Sequence, residues 1–113
     1  NAAAMGERLL SGLRDLQDRF DLIGDVRGRG LFIGVELVID GYSKVPATAL
    51  AGYVSNRLRD HRILIGTDGP DDNVLKIRPP LTIGATDCDL LLAVLGDILV
   101  EAEIINQTKW LTR

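Results

Sequence analysis

The stretch VLKIRPPL, Val74 to Leu81, sets two cations, Lys76 and Arg78, in an apolar run that two prolines then stop. Side chains alternate along a strand, so Val74, Lys76 and Arg78 share one face while Leu75 and Ile77 take the other. The two cations are then next-but-one neighbours, ~7 Å apart at the standard rise. Like charges at that spacing repel unless water or an anion lies between them. Pro79 holds Arg78 extended and supplies no N–H, so the strand must end there or lie at a sheet edge. A stiff edge aiming two cations outward can receive an anion, and an Arg fork suits carboxylate or phosphate. The same two residues can also stay in solvent or pair with Asp or Glu.

Other stretches offer less chemistry. In RGRGLFIG, Gly28, Gly30 and Gly34 are spaced one residue too long for a dinucleotide fingerprint and lead into strand-forming residues instead of a helix. They read as a bend or bulge at Gly28–Gly30. TDGPDDN places Asp68, Asp71 and Asp72 close together, without the ligand order of a calcium loop, and reads as a turn set by Gly69-Pro70. His61, the only histidine, excludes His-based metal clusters and sits near a helix end, where an imidazolium suits the C-terminal dipole. Cys88, the only cysteine, reads as a half-buried helix residue, and no hydroxyl or thiol lies in a nucleophile motif. No residue here is expected to be catalytic, to ligate a metal, or to bind a cofactor.

The elements that must position Lys76 and Arg78 follow from periodicity. Met5, Leu9, Leu13, Leu16 and Phe20 recur at helical steps and mark a first helix over roughly 3–20. Residues 23–29 and 31–39 read as strands, the second with Leu31, Ile33, Val35 and Leu37 on one side and Phe32, Gly34 and Glu36 on the other. After the Asp40-Gly41 turn, Pro46 suits the first turn of a second helix, which Leu50, Val54 and Leu58 carry to about Asp60. Ile63 to Ile65 make a short buried strand, joined by GTDGPDDN to a strand at Val74 to Arg78 as a long-looped hairpin. Thr86 and Asp89 resemble a capping box, opening a last helix that buries Leu91, Leu95, Ile98, Leu99 and Ala102 and runs to about Ile105. The fold class is α+β: one two-layer domain over residues 1–113, with about three helices against one face of a small, largely antiparallel sheet.

Composition bounds the partners. The 113 residues suffice for one core, and 46% apolar with 26% charged residues fits a globular chain. A net charge of −3 carries no basic footprint for nucleic acid. No apolar run approaches the ~20 residues of a membrane span, so neither nucleic acid nor membrane is expected as a partner. One cysteine cannot form an internal disulfide, which points to a cytoplasmic setting. The opening NAAAMGERLL lies already within a helical pattern, and the chain is expected to be a piece of a longer one.

The runs IGDVRGRGLFIGVEL and ILIGTDGPDDNVLKIRPPL, with the closing helix, together resemble the C-terminal small domain of class III, pyridoxal-phosphate-dependent aminotransferases of fold type I. The resemblance covers nearly the whole chain. Within the class, D-G-P-x-x-N-V-L-K-I-x-P-P most resembles the branch of alanine-glyoxylate aminotransferase-like proteins and phospho-lyases acting on phosphorylated amino compounds. The resemblance implies a parent enzyme in which pyridoxal phosphate, on a lysine, is the electron sink. It implies an amino-acid or amine substrate, a keto acid and a homodimeric parent.

In many class members an Arg three residues before the Pro-Pro pair grips the substrate carboxylate. Here that position is Lys76, a point charge in place of a fork, with Arg78 directly before Pro79, which leaves room for another anion such as phosphate. Lys76 and Arg78 are accordingly the expected substrate-binding residues, in a domain that also helps close the active site. The cofactor's lysine, ring-stacking aromatic and aspartate belong upstream, and Lys44, Lys76 and Lys109 match none of their motifs. By itself the chain is expected neither to hold the cofactor stably nor to turn over substrate. Two alternatives stand beside the transaminase: a phospho-lyase parent, and a free-standing regulatory module that binds a small anion.

Overall fold

The computed structural model describes residues 1–63 and 65–110. Helix α1 (Ala2–Arg19) begins at Asn1, whose side-chain oxygen accepts the Ala4 N–H at 2.7 Å, and buries Leu9, Leu13 and Leu16. It stops where Phe20 adopts an extended backbone while its N–H still bonds the Leu16 carbonyl. Strands β1 (Ile23–Arg29) and β2 (Phe32–Leu37) follow as an antiparallel hairpin, Arg29 facing Phe32. Only Gly30 and Leu31 join them. Gly30, at φ +58, takes the first central position, as a II′ turn requires. Gly6 of α1 packs against the Gly30 carbonyl so closely that a Cβ would overlap it, and the helix therefore lies directly on this turn.

Helix α2 (Thr48–Asp60) leads to β3 (Gly66–Asp68), β4 (Val74–Ile77) and the long helix α3 (Ala85–Trp110). The sheet is antiparallel throughout, in the order β1-β2-β4-β3. Its inner face carries Ile33, Val35, Leu37, Leu75 and Ile77, all buried against the helices. Its outer face is open. The α+β class and the single layer of helices are as the sequence implies. The buried Asn73 joins two strands, donating its side-chain amide to the Leu37 carbonyl at 2.8 Å while its own carbonyl accepts the Leu37 N–H at 2.8 Å.

Several local expectations are corrected. The Lys76 strand is not an edge: β4 lies between β2 and β3, and Pro79 is accommodated because the strand ends at Ile77. The third strand is Gly66–Asp68 instead of 63–65. Arg62 and Ile63 spend their N–H groups closing α2, on the Arg59 and Leu58 carbonyls, so pairing with β4 starts only at Gly66; Leu64 lies outside the described residues. Gly28 and Arg29 belong to β1, and the register irregularity falls between Ile23 and Asp25. Pro46 precedes α2: it bridges to Val38, with the Ile39 N–H on the Val45 carbonyl and the Ala47 N–H on that of Leu37 holding it extended.

At the start of α3, Asp87 accepts the Gly84 N–H while Asp89 turns to Arg8 of α1, so the Thr86–Asp89 box does not form. The helix runs past Ile105 to Trp110, supported by the Asn106 amide on the Ile39 carbonyl at 2.9 Å.

Candidate functional site

Register places the outer-face residues in rows across the strands. Arg27 of β1 faces Gly34 of β2, Gly34 faces Lys76 of β4, and Lys76 faces Gly66 of β3. One row deeper lie Asp25, Glu36, Val74 and Asp68. One row nearer the β1–β2 turn, Arg29 faces Phe32, and the Arg78 guanidinium lies over the Phe32 ring, 4.7 Å from its centroid. Lys76 and Arg78 thus reach the same face, as alternation requires, each with a neighbour that the sequence pattern did not disclose.

Lys76 Nζ lies 3.1 Å from Asp68 Oδ2, across the β3–β4 pair. The Gly69 N–H, then Lys76, hold the Asp68 carboxyl below its ordinary range. With the two side chains 38% and 60% exposed, solvent screens this pair and it contributes little stability, so another anion can displace it. On β1, Arg27 donates to Asp25 at 2.8 Å and to Glu36 at 3.3 Å. None of the described ion pairs includes Arg78 or Arg29.

Two cavities adjoin these side chains. One, of about 640 Å³, lies over Gly34 between Arg27, Arg29, Phe32 and Lys76. The other, of about 490 Å³, has apolar walls from Ile77, Pro79, Ile83 and Leu91, with Arg78 at its margin. Arg78 lines the second, and its guanidinium lies over Phe32, a wall of the first. The arrangement offers charge-assisted donors to an anion and an apolar wall beside it; its described side chains include no thiol or imidazole, and the hydroxyl among them is that of Thr82.

The remaining sequence candidates are structural. His61 caps the C-terminus of α2. Cys88 is fully buried and desolvation pushes its thiol up, away from the reactive thiolate. In the 68–73 turn, Asp72 accepts the Thr67 hydroxyl at 2.7 Å and the Asp71 carbonyl accepts that of Thr48. Among the described residues no cluster of His, Cys, Asp or Glu is arranged to hold a metal. Phe32, Arg27 and Asp68 are the neighbours that sequence reasoning missed. The alternation of FIGVEL put Phe32 on the right face, and only the pairing of β2 with β4 put it under Arg78.

Comparison with known proteins bears on the whole chain. The family model described as aminotransferase class-III matches residues 1–99. Alanine–glyoxylate aminotransferase 2-like of Drosophila melanogaster is 42% identical over 92 residues, covering 80% of this chain and 19% of its own length. Ethanolamine-phosphate phospho-lyase homolog 1 of Caenorhabditis elegans is 42% identical over 96 residues, covering 84% of this chain and 21% of its own. Among solved structures, a phospholyase from Arthrobacter in complex with phosphoethanolamine superposes with a TM-score of 0.84 at 38% identity, covering 88% of this chain and 24% of that one. The chain spans about a fifth of the length of the curated relatives it matches. On a family model that matches most of its residues and a fold shared with a solved relative, this chain belongs to the class-III aminotransferase family.

Proposed function

We propose that this chain is the substrate-side domain of a pyridoxal-phosphate-dependent transaminase, in which Lys76 and Arg78 hold the anionic end of the substrate and the domain helps close the active site. The observation that carries this reading is the pair of cations at the end of β4, on one open face, the first held only by a screened ion pair and the second stacked on an exposed ring. A substrate anion replaces Asp68 at Lys76 at little cost, and the Arg78 guanidinium keeps its donors available above Phe32.

The described residues do not build a cradle for pyridoxal phosphate itself. Lys44 sits on an exposed turn at φ +55, and Lys76 is paired. Phe20 is buried in the core, Phe32 lies under Arg78, Tyr42 is fully exposed and Tyr53 donates to Glu101, so none of these rings is placed to stack on the cofactor. The cofactor's lysine and ring contacts are assigned to the rest of the enzyme, and the isolated chain is proposed to be inactive.

A second reading, a phospho-lyase that releases phosphate from a phosphorylated amine, is favoured by Lys76 itself. An ammonium point charge beside a guanidinium suits the oxygens of a phosphate as well as a carboxylate. The similarity to a phospholyase solved with phosphoethanolamine adds to this reading.

The test uses the full-length enzyme. Keto-acid formation against phosphate release separates the two chemistries. In either case Lys76→Ala or Arg78→Ala is expected to raise the substrate's KM about tenfold or more, the loss of a charge-assisted contact worth about 1.4 kcal/mol. Unchanged kinetics in both variants would return the pair to solvent.

A further inference from the structure

The charge on the open face is segregated by row, and the carboxylates reach only one row of cations. Arg27 is neutralised by Asp25 and Glu36, and Lys76 by Asp68. In the row nearest the turn, Arg29 and Arg78 stand on either side of Phe32 and enter none of the described ion pairs. Neighbouring strands lie ~4.8 Å apart, so β1 and β4 hold these two guanidinium groups on backbones ~10 Å from each other. Each side chain is long enough to fold over the ring between them. Beside that row Gly34 has no side chain, and the hollow of about 640 Å³ above it is walled by Arg27, Arg29, Phe32 and Lys76, with Asp68, the partner of Lys76, at the same wall.

We propose that Arg29 is a specificity-determining residue of the anion site, holding an oxyanion seated over Gly34 from the β1 side while Lys76 and Arg78 hold it from the β4 side. This rests on the reading that the open face meets substrate. The chemistry selects the anion. A carboxylate presents two coplanar oxygens and one charge, which one guanidinium fork matches, whereas a phosphate monoester presents three terminal oxygens and up to two charges and can bridge two forks and an ammonium. Arg29 in the hollow and Arg78 over its Phe32 wall, both outside the described ion pairs, repel each other until such an anion lies between them. Arg29 therefore adds more to the binding of a phosphorylated amine than to that of an amine bearing only a carboxylate.

The experiment uses the full-length enzyme with its cofactor and compares wild type, Arg29→Gln, Arg29→Lys, Lys76→Ala and Arg78→Ala. Competitive inhibition by inorganic phosphate and by succinate is measured beside kcat and KM. Arg29→Gln is expected to weaken phosphate inhibition about tenfold and succinate inhibition less than threefold, and to raise the KM of a phosphorylated amine more than it lowers kcat. Arg29→Lys is expected to recover part of the phosphate affinity, because it restores the charge without the fork. Thermal unfolding is expected to be the same for wild type and both Arg29 variants, since the side chain is exposed and enters none of the described ion pairs.

Phosphate inhibition unchanged by Arg29→Gln overturns the proposal. Equal weakening of phosphate and succinate overturns the specificity it assigns. If Lys76→Ala and Arg78→Ala raise KM while Arg29→Gln does not, Arg29 alone has lost its role. If none of the three matters, the open face does not meet substrate and the underlying reading falls with it.

Discussion

At the residue scale, the strongest polar cluster lies away from the sheet face. Glu101 of α3 accepts the Tyr53 hydroxyl at 2.6 Å and two N–H groups of Arg57, at 2.9 and 3.2 Å, and Arg57 also donates to Asp60 at 2.9 Å. Hydrogen bonding by Arg57, then by Tyr53, holds the Glu101 carboxyl down from its ordinary 4.5 to about 2. A depressed carboxyl stabilises the fold fully above its unfolded value and loses that contribution as pH falls through its folded one. Wild type is therefore expected to exceed Glu101→Gln in urea midpoint at neutral pH, and the gap is expected to close between pH 4.5 and about 2. A gap independent of pH would assign the loss to packing instead of charge. The contrast with Lys76 is instructive: Arg57 is committed to holding α2 on α3, whereas the Lys76–Asp68 contact spans only adjacent strands and is free to exchange.

At the element scale, the end of α2 shows how a local sequence choice costs stability. His61 is the C-cap, the Arg62 and Ile63 N–H groups close on Arg59 and Leu58, and Arg62 occupies the left-handed position, φ +63, that glycine usually takes in this motif. An L-residue there costs ~1–2 kcal/mol, while glycine costs about 0.5–1 kcal/mol in unfolded-chain entropy. Arg62→Gly is accordingly expected to gain roughly 0.5–1 kcal/mol and to raise Tm by a few degrees in a thermal melt. A fall in Tm would show that the Arg62 side chain contributes more than its backbone costs. The same closure explains why the chain cannot begin β3 at Ile63. Its N–H is already spent, and Ser55 then anchors the approach to the strand by donating to the Ile65 carbonyl.

At the scale of the whole molecule, α3 packs on both α1 and α2, and these helices cover the inner face of the sheet, so one core serves every element. Leu95 is fully buried in it. Leu95→Ala is expected to cost ~2–5 kcal/mol, read as a lower urea midpoint with one cooperative transition. Two transitions would mean that α3 unfolds separately. The helices take the inner face and leave the outer one to solvent, and the cations on that outer face are the feature the rest of the enzyme is proposed to use.

Much of this was legible in the sequence because periodicity is a local property. The steps from Met5 to Phe20, the alternation of FIGVEL and the Leu91–Ala102 stripe named the helices, the inner face of β2 and most of the core before any coordinates. The same alternation put Lys76 and Arg78 on one face. Strand order is not local. Nothing in VLKIRPPL says that β4 pairs with β2 on one side and β3 on the other, and the proline that suggested an edge is satisfied equally well by a strand that stops at Ile77. Only that pairing laid Arg78 over Phe32, set Asp68 beside Lys76 and lined Arg27 and Arg29 along the same hollow. Sequence alone decided which residues carry charge and which face they take, because both follow from side-chain chemistry and a two-residue period. Tertiary structure decided which side chains meet, because β2 and β4 lie about forty positions apart in the chain and become neighbours only through the cross-strand hydrogen bonds that set the register.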